Sequence, residues 1–163
     1  VPMGSILPGV QDVQRKPTFL VAASQDAGTP SNPGTPLQRL QVIKGWIDTK
    51  GERHERVIDV AGDADNGAAV DLKSCETSGS GFADLCAVWV DSDFDPNERA
   101  YYYSRAVENP TCRWSQRMCA AAGVDCAQPD TITEGYEGCC AADHRPVVQE
   151  RAWTSPVWYS PAT

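Results

Sequence analysis

Seven cysteines are distributed so unevenly in this chain that they limit its architecture before any other residue is read. Cys112, Cys119, Cys126, Cys139 and Cys140 crowd into one stretch, whereas Cys75 and Cys86 flank a Gly/Ser loop. A zinc site prefers cysteine pairs separated by about two to four residues. Here the steps are seven, seven and thirteen, followed by an adjacent pair, which fits that pattern poorly. A thiol nucleophile needs a nearby base; His144 is the one histidine near the cluster, and nothing else supports a catalytic pair. The expected reading is therefore disulfides that staple an irregular insertion, each contributing about 2–4 kcal/mol. Cys75–Cys86, closing a small loop, is the single bridge expected by name, and the pairing of the other five stays open. The odd count leaves one thiol free or paired outside the chain. Cysteine usage of this kind points to an extracytoplasmic compartment, periplasmic or secreted.

Outside that cluster the chain reads as short β runs separated by Gly-, Pro- and Asp-rich loops. An apolar run from Pro17 to Ala23 precedes a turn-rich stretch from Asp26 to Pro36. Leu37 to Asp48 is a long strand by pattern, with Leu40, Val42 and Trp46 on one face and Ile43 and Ile47 on the other. Lys50-Gly51 makes a turn, and Glu52 to Val60 returns as the partner strand of a hairpin. Ala61 to Gly81 reads as a long, mobile loop. Leu85 to Val90 is the next buried strand, Asp91 to Asn97 a turn, and Ala100 to Glu108 a strand dense in tyrosine. One helix is expected, from Trp114 to Ala122, capped from Thr111 and stopped at Gly123. A last strand runs from Gln149 to Tyr159, its prolines suited to a sheet edge.

This pattern predicts a mostly β fold: an antiparallel β-sandwich, immunoglobulin- or fibronectin-like, with one short helix and a Cys-rich insertion. Residues 1–163 form one module, with the helix and insertion at 111–147 inside it. A tyrosine of Tyr101-Tyr102-Tyr103 is expected to hydrogen-bond back across a corner of the sandwich. The opening Val1-Pro2-Met3-Gly4 reads as part of a longer protein.

Charge narrows the function classes. With 14 Lys+Arg against 22 Asp+Glu, the formal net charge is -8, which disfavours a nucleic-acid partner. The basic clusters Arg15-Lys16 and Arg53/Arg56 are too short, the second already lying among Glu52 and Glu55. The mean hydropathy is -0.40, and no apolar run approaches the roughly 20 residues of a spanning helix, so the chain is not expected to span a membrane. Two histidines, His54 and His144, cannot build a His-rich metal centre. The turn Asp91, Asp93, Asp95 places carboxylates at alternate positions and is the candidate Ca2+ site, although the twelve-residue helix–loop–helix pattern is absent. Asp63 to Gly67 invites the same thought more weakly, since Asn66-Gly67 is first a turn signal. No G-x-S-x-G, G-x-G-x-x-G or P-loop occurs. Trp46, Trp89, Trp114, Trp153 and Trp158 could line a carbohydrate-binding face, but such residues serve core packing more often.

Four ordered strings are familiar: Leu40-Gln41-Val42-Ile43-Lys44-Gly45-Trp46-Ile47-Asp48; Phe94-Asp95-Pro96 with Ala100-Tyr101-Tyr102-Tyr103-Ser104-Arg105; Pro110 with Arg113-Trp114; and Gln149 to Tyr159. Together they resemble the carboxyl-terminal part of the bacterial family called domain of unknown function 3604, from about Val1 to Pro161. The stretch Cys112 to Cys140 is where this sequence departs. Members of that family are several times longer, and their amino-terminal part resembles PHP-type metallohydrolases, in which His and Asp clusters hold divalent metals. The resemblance therefore implies a non-catalytic accessory module whose partner is an amino-terminal catalytic domain; divalent metals would belong to that domain, and no cofactor to this chain. It transfers no catalytic residue. Two alternatives remain. Arg105, Arg113 or Arg151 would lend a substrate-binding charge to the hydrolase site, or the chain is a secreted carbohydrate- or ligand-binding module.

Overall fold

The computed structural model describes residues 1–9 and 16–161, so Arg15 of the basic pair lies outside the described residues. The elements, in order, are β1 (Thr18–Ser24), β2 (Gly28–Thr29), β3 (Asn32–Pro33), β4 (Leu37–Ile47), β5 (Arg53–Gly62), β6 (Ala69–Val70), β7 (Thr77–Ser78), β8 (Asp84–Val90), β9 (Arg99–Glu108), β10 (Thr111–Cys112), α1 (Trp114–Ala121), β11 (Val147–Val148), β12 (Arg151–Trp153) and β13 (Val157–Tyr159). Two 3-10 turns, Pro129–Thr131 and Glu137–Cys140, lie between α1 and β11. The fold is mostly β and antiparallel, with one α-helix among the described residues, as the sequence pattern predicts.

The main sheet is five-stranded, in the order β12-β9-β4-β5, with β13 also on β9. Its spine is β4, which pairs through residues 39–47 with β5 on one side and β9 on the other. Val42 and Ile43 point to opposite faces yet are both buried, because a central strand is covered on both sides by its neighbours' side chains. The last expected strand is broken in two. Pro156 cannot donate to a ladder, and across the break Thr154 takes over: its Oγ1 accepts the Ser104 N–H at 3.0 Å.

A two-stranded ribbon, β1 against β8, lies across one face of this sheet. Alternation sends Phe19, Val21, Leu85 and Trp89 inward, while Leu20 and Val88 face solvent. Two clusters fill the gap. One gathers Phe94, Ala100, Tyr102 and Tyr159 with Phe19, Trp46 and Trp89; the other gathers Leu37, Leu40 and Leu85 with Val21 and Val60. The layers are unequal, five strands facing two, which is consistent with a sandwich in lopsided form.

Buried between the layers is a fully satisfied polar knot. Lys44 Nζ lies 2.6 Å from Asp91 Oδ2, which also accepts the Tyr102 hydroxyl at 2.7 Å. All three side chains are almost wholly buried, so each charge depends on the other for its solvation. The expected tyrosine corner thus exists, but Tyr102 reaches a carboxylate, and the hydroxyl of Tyr159 is the one that donates to a backbone carbonyl, that of Pro96 at 2.8 Å.

The Cys-rich segment forms a lobe outside the sheet. Three disulfides hold it: Cys75–Cys112, Cys119–Cys139 and Cys126–Cys140. The expected Cys75–Cys86 bridge is absent. Cys86 sits at an outward position of β8 and is free and exposed, whereas Cys75 is carried toward β10. Strand alternation decided this, since Cys86 shares the outer ribbon face with Val88. The stretch from Ala61 to Gly81, expected to be a mobile loop, contains the small ladder β6–β7 and is tied down by Cys75–Cys112. Helix α1 ends at Ala121, and its N-cap is Arg113 without a side-chain cap, not Thr111. Three structural disulfides belong to an oxidising, non-cytoplasmic compartment. No described helix is long and apolar enough to cross a membrane.

Candidate functional site

The ribbon covers one face of the main sheet; among the described residues no second layer covers the other. Residues directly opposite on neighbouring strands share a face. The pairs Arg105–Gln41, Tyr103–Ile43 and Tyr101–Gly45 therefore stand on the face away from Tyr102, together with Trp153 opposite Arg105 and Trp158 opposite Tyr101. On β5 the same face carries Glu55, Val57 and Asp59. Trp153 is 59% exposed and Trp158 49%, unusual values for two tryptophans on the central sheet of a small domain.

The aromatic half of this face is ordered by contacts among its own side chains. The Tyr101 and Tyr103 rings are nearly parallel, with centroids 6.3 Å apart. Trp158 leans onto Tyr101 at 5.5 Å. Tyr101 lies flat on the backbone of Gly45, where an added Cβ would meet the ring at 2.2 Å. Burial, together with the negative charge of Glu55, holds the Tyr101 hydroxyl above its ordinary pKa, so it remains a neutral hydrogen-bonding group.

The polar half is a chain of hydrogen bonds across three strands. Arg105 Nε donates to Gln41 Oε1 at 2.7 Å, and Gln41 Nε2 donates to Asp59 Oδ1 at 2.6 Å. Arginine only donates and carboxylate only accepts, so the Gln41 amide has one orientation. Arg39 closes the row at 3.6 Å from Asp59. Such a face offers stacking surface and fixed guanidinium donors. The two histidines are each engaged in a side-chain hydrogen bond, His54 with Asp48 at 3.0 Å and His144 with Gln116 at 2.9 Å.

The sequence-derived candidates distribute unevenly over this geometry. Arg105 and Arg151 share the open face, Arg105 half-buried and Arg151 exposed opposite Val107. Arg113 stands apart at the start of α1, its Nε donating to the Val147 carbonyl at 3.4 Å. Of the five tryptophans, Trp46 and Trp89 pack against the core, Trp114 is on the lobe, and only Trp153 and Trp158 reach the open face. They do not form the single face imagined for them. Tyr101 and Tyr103 were not singled out, although three consecutive tyrosines on a strand must alternate and send two to the same side.

The Asp91–Asp95 turn spends its carboxylates internally. Asp91 pairs with Lys44; Asp93 Oδ2 accepts Arg56 Nη1 at 2.6 Å; Asp95 accepts the backbone and side-chain N–H of Asn97. The Arg56 guanidinium holds Asp93 below the usual aspartate range. Asp63 and Asn66 likewise accept local N–H groups. Among the described residues no group of three or more His, Cys, Asp or Glu is placed to hold a metal ion.

Three of the strings that carry the family resemblance are β4, β9 and β12–β13, which are adjacent in the sheet and build the open face. Compared with known proteins, the chain matches one family, described as Protein of unknown function (DUF3604), over residues 1–161. No curated protein and no solved structure matches it. The match spans the sheet, the ribbon and the Cys-rich lobe alike, and the chain therefore belongs to the DUF3604 family.

Proposed function

We propose that this chain is a non-catalytic β module of a longer bacterial protein, periplasmic or secreted, and that the Trp153–Arg151 end of its open sheet face packs against a PHP-like metal-dependent hydrolase domain of that protein. The observation that carries this reading is the exposure of Trp153 beside Arg105 and Arg151 on the open face of the sheet. Tryptophan and arginine flanked by apolar residues are the composition of the buried centre of an interface. The module would stabilise its neighbour or shape access to it, and the divalent metals implied by the resemblance would sit in that neighbour.

Trp153→Ala tests the reading in two contexts. The Tm of the isolated chain should change by no more than about 2 °C, because the side chain is mostly in water there. In the longer protein the same change should lower Tm by several degrees; equal effects in both contexts overturn the proposal. Arg151→Ala addresses the rival in which arginines bind substrate. Turnover of p-nitrophenyl phosphate by the longer protein should keep kcat/KM within about two-fold. A ten-fold fall at unchanged Tm would transfer the function to substrate binding.

A further inference from the structure

One end of the open face is a cavity of about 330 Å³, close to the lower limit for ligand pockets. Ile47 ends β4 there, with Arg53 of β5 directly opposite on one side and Arg99 of β9 directly opposite on the other. Strand spacing puts the two arginine stems about 10 Å apart with one aliphatic residue between them. Both arginines line the cavity, and so do Tyr101 and Trp158, whose rings meet at 52° to make a bent aromatic wall. Both are exposed, and among the described residues neither guanidinium has an ion-pair partner. Two arginines without an ion-pair partner thus border one aromatic cavity in a chain of net charge -8, and both guanidinium groups are available to an acidic ligand. His54 at the rim is already committed to Asp48 and stacked on Trp46.

We propose that this cavity binds the carboxylate-bearing ring of a sugar acid. The aromatic wall accepts the apolar C–H face of a pyranose ring. The planar forks of Arg53 and Arg99 match a carboxylate, which a neutral sugar lacks. The volume holds one ring, so the site takes a terminal or single residue of an acidic glycan. This site is separate from the Trp153–Arg151 end of the face, so the two proposals stand or fall independently.

The test uses the isolated chain. Trigalacturonic acid is titrated against tryptophan emission and by calorimetry, with maltotriose and sodium acetate as comparators at matched ionic strength. Saturable binding with Kd below about 1 mM is expected for trigalacturonic acid, at least ten-fold tighter than for either comparator. Arg53→Ala and Arg99→Ala should each weaken it at least ten-fold without altering far-ultraviolet circular dichroism. Trp158→Phe should reduce the emission change while leaving calorimetric binding measurable. Absence of saturable binding, equal binding of maltotriose, equal binding of acetate, or binding indifferent to both arginine variants would each overturn the proposal.

Discussion

Lys44 and Asp91 are separated by 47 positions in the chain and meet in the core, so the Asp91, Asp93, Asp95 turn, which resembles a cation site in sequence, has Asp91 paired with Lys44 and Asp93 with Arg56 in the fold. Alternate carboxylates are legible in a sequence; the cations that arrive from β4 and β5 to neutralise them are not. Removing one partner strands the other, so Asp91→Ala should cost about 3–5 kcal/mol. For a domain of this size that is a Tm loss of roughly 6–20 °C. Lys44→Met combined with Asp91→Leu and Tyr102→Phe should recover most of it, since an apolar trio of similar shape leaves no buried charge and no unpaired hydroxyl. Thermal denaturation of the three proteins separates these outcomes. The pH dependence follows from carboxylates shifted in opposite directions. Asp48, Asp71 and Asp93 are held below the ordinary aspartate value, chiefly by hydrogen bonds from His54, from the Ser74 and Lys73 backbone, and from Arg56. Their stabilisation is present above the unfolded-state value, about pH 3.9, and is lost as pH falls through the folded values. Burial raises Glu98 and Glu108, whose penalty is relieved on acidification. Tm should therefore hold from neutrality to about pH 4.5 and decline gradually below about pH 4.

At the scale of elements, periodicity predicts what is regular and loses what is decided by partners. β4 and β5 were legible as a hairpin, and Lys50-Gly51 lies in its turn, because alternation and a glycine at positive φ suffice to specify them. The break of the last strand into β12 and β13 was not, since a proline reports an edge without saying that Thr154 will bridge the gap. The disulfides show the same limit. That the cysteines pair was readable from their number and crowding; that Cys75 joins Cys112 and leaves Cys86 free depends on which face of β8 points outward. Loop-closure entropy over a separation of 37 residues gives about 4 kcal/mol for Cys75–Cys112, against about 3 kcal/mol for the 14-residue separation of Cys126–Cys140. Double alanine replacement of the first pair should therefore lower Tm further than replacement of the second. Thiol titration of native, unreduced protein should find one reactive group, Cys86. Seven would contradict the disulfide framework. Gly45→Ala should displace the Tyr101 ring, change the near-ultraviolet circular dichroism and leave far-ultraviolet signals intact.

For the whole molecule, the unequal layers matter more than the strand count. A two-stranded ribbon covers one face of a five-stranded sheet, and the opposite face shows Trp153 and Trp158 to solvent around a fixed row of Arg105, Gln41 and Asp59. The β class and the single helix were readable from local pattern. The open face was not, because exposure of one side of a sheet is a property of what fails to cover it. The central claim is that another domain covers its Trp153 end, and hydroxyl-radical footprinting of the isolated chain beside the longer protein tests that directly. Trp153 and Tyr103 should be oxidised readily in the isolated chain and several-fold more slowly in the longer protein, while Trp158 at the cavity end and Trp114 on the lobe react equally in both. Equal oxidation of Trp153 in the two would contradict the account, and the face would then belong to a free ligand and not to a neighbouring domain.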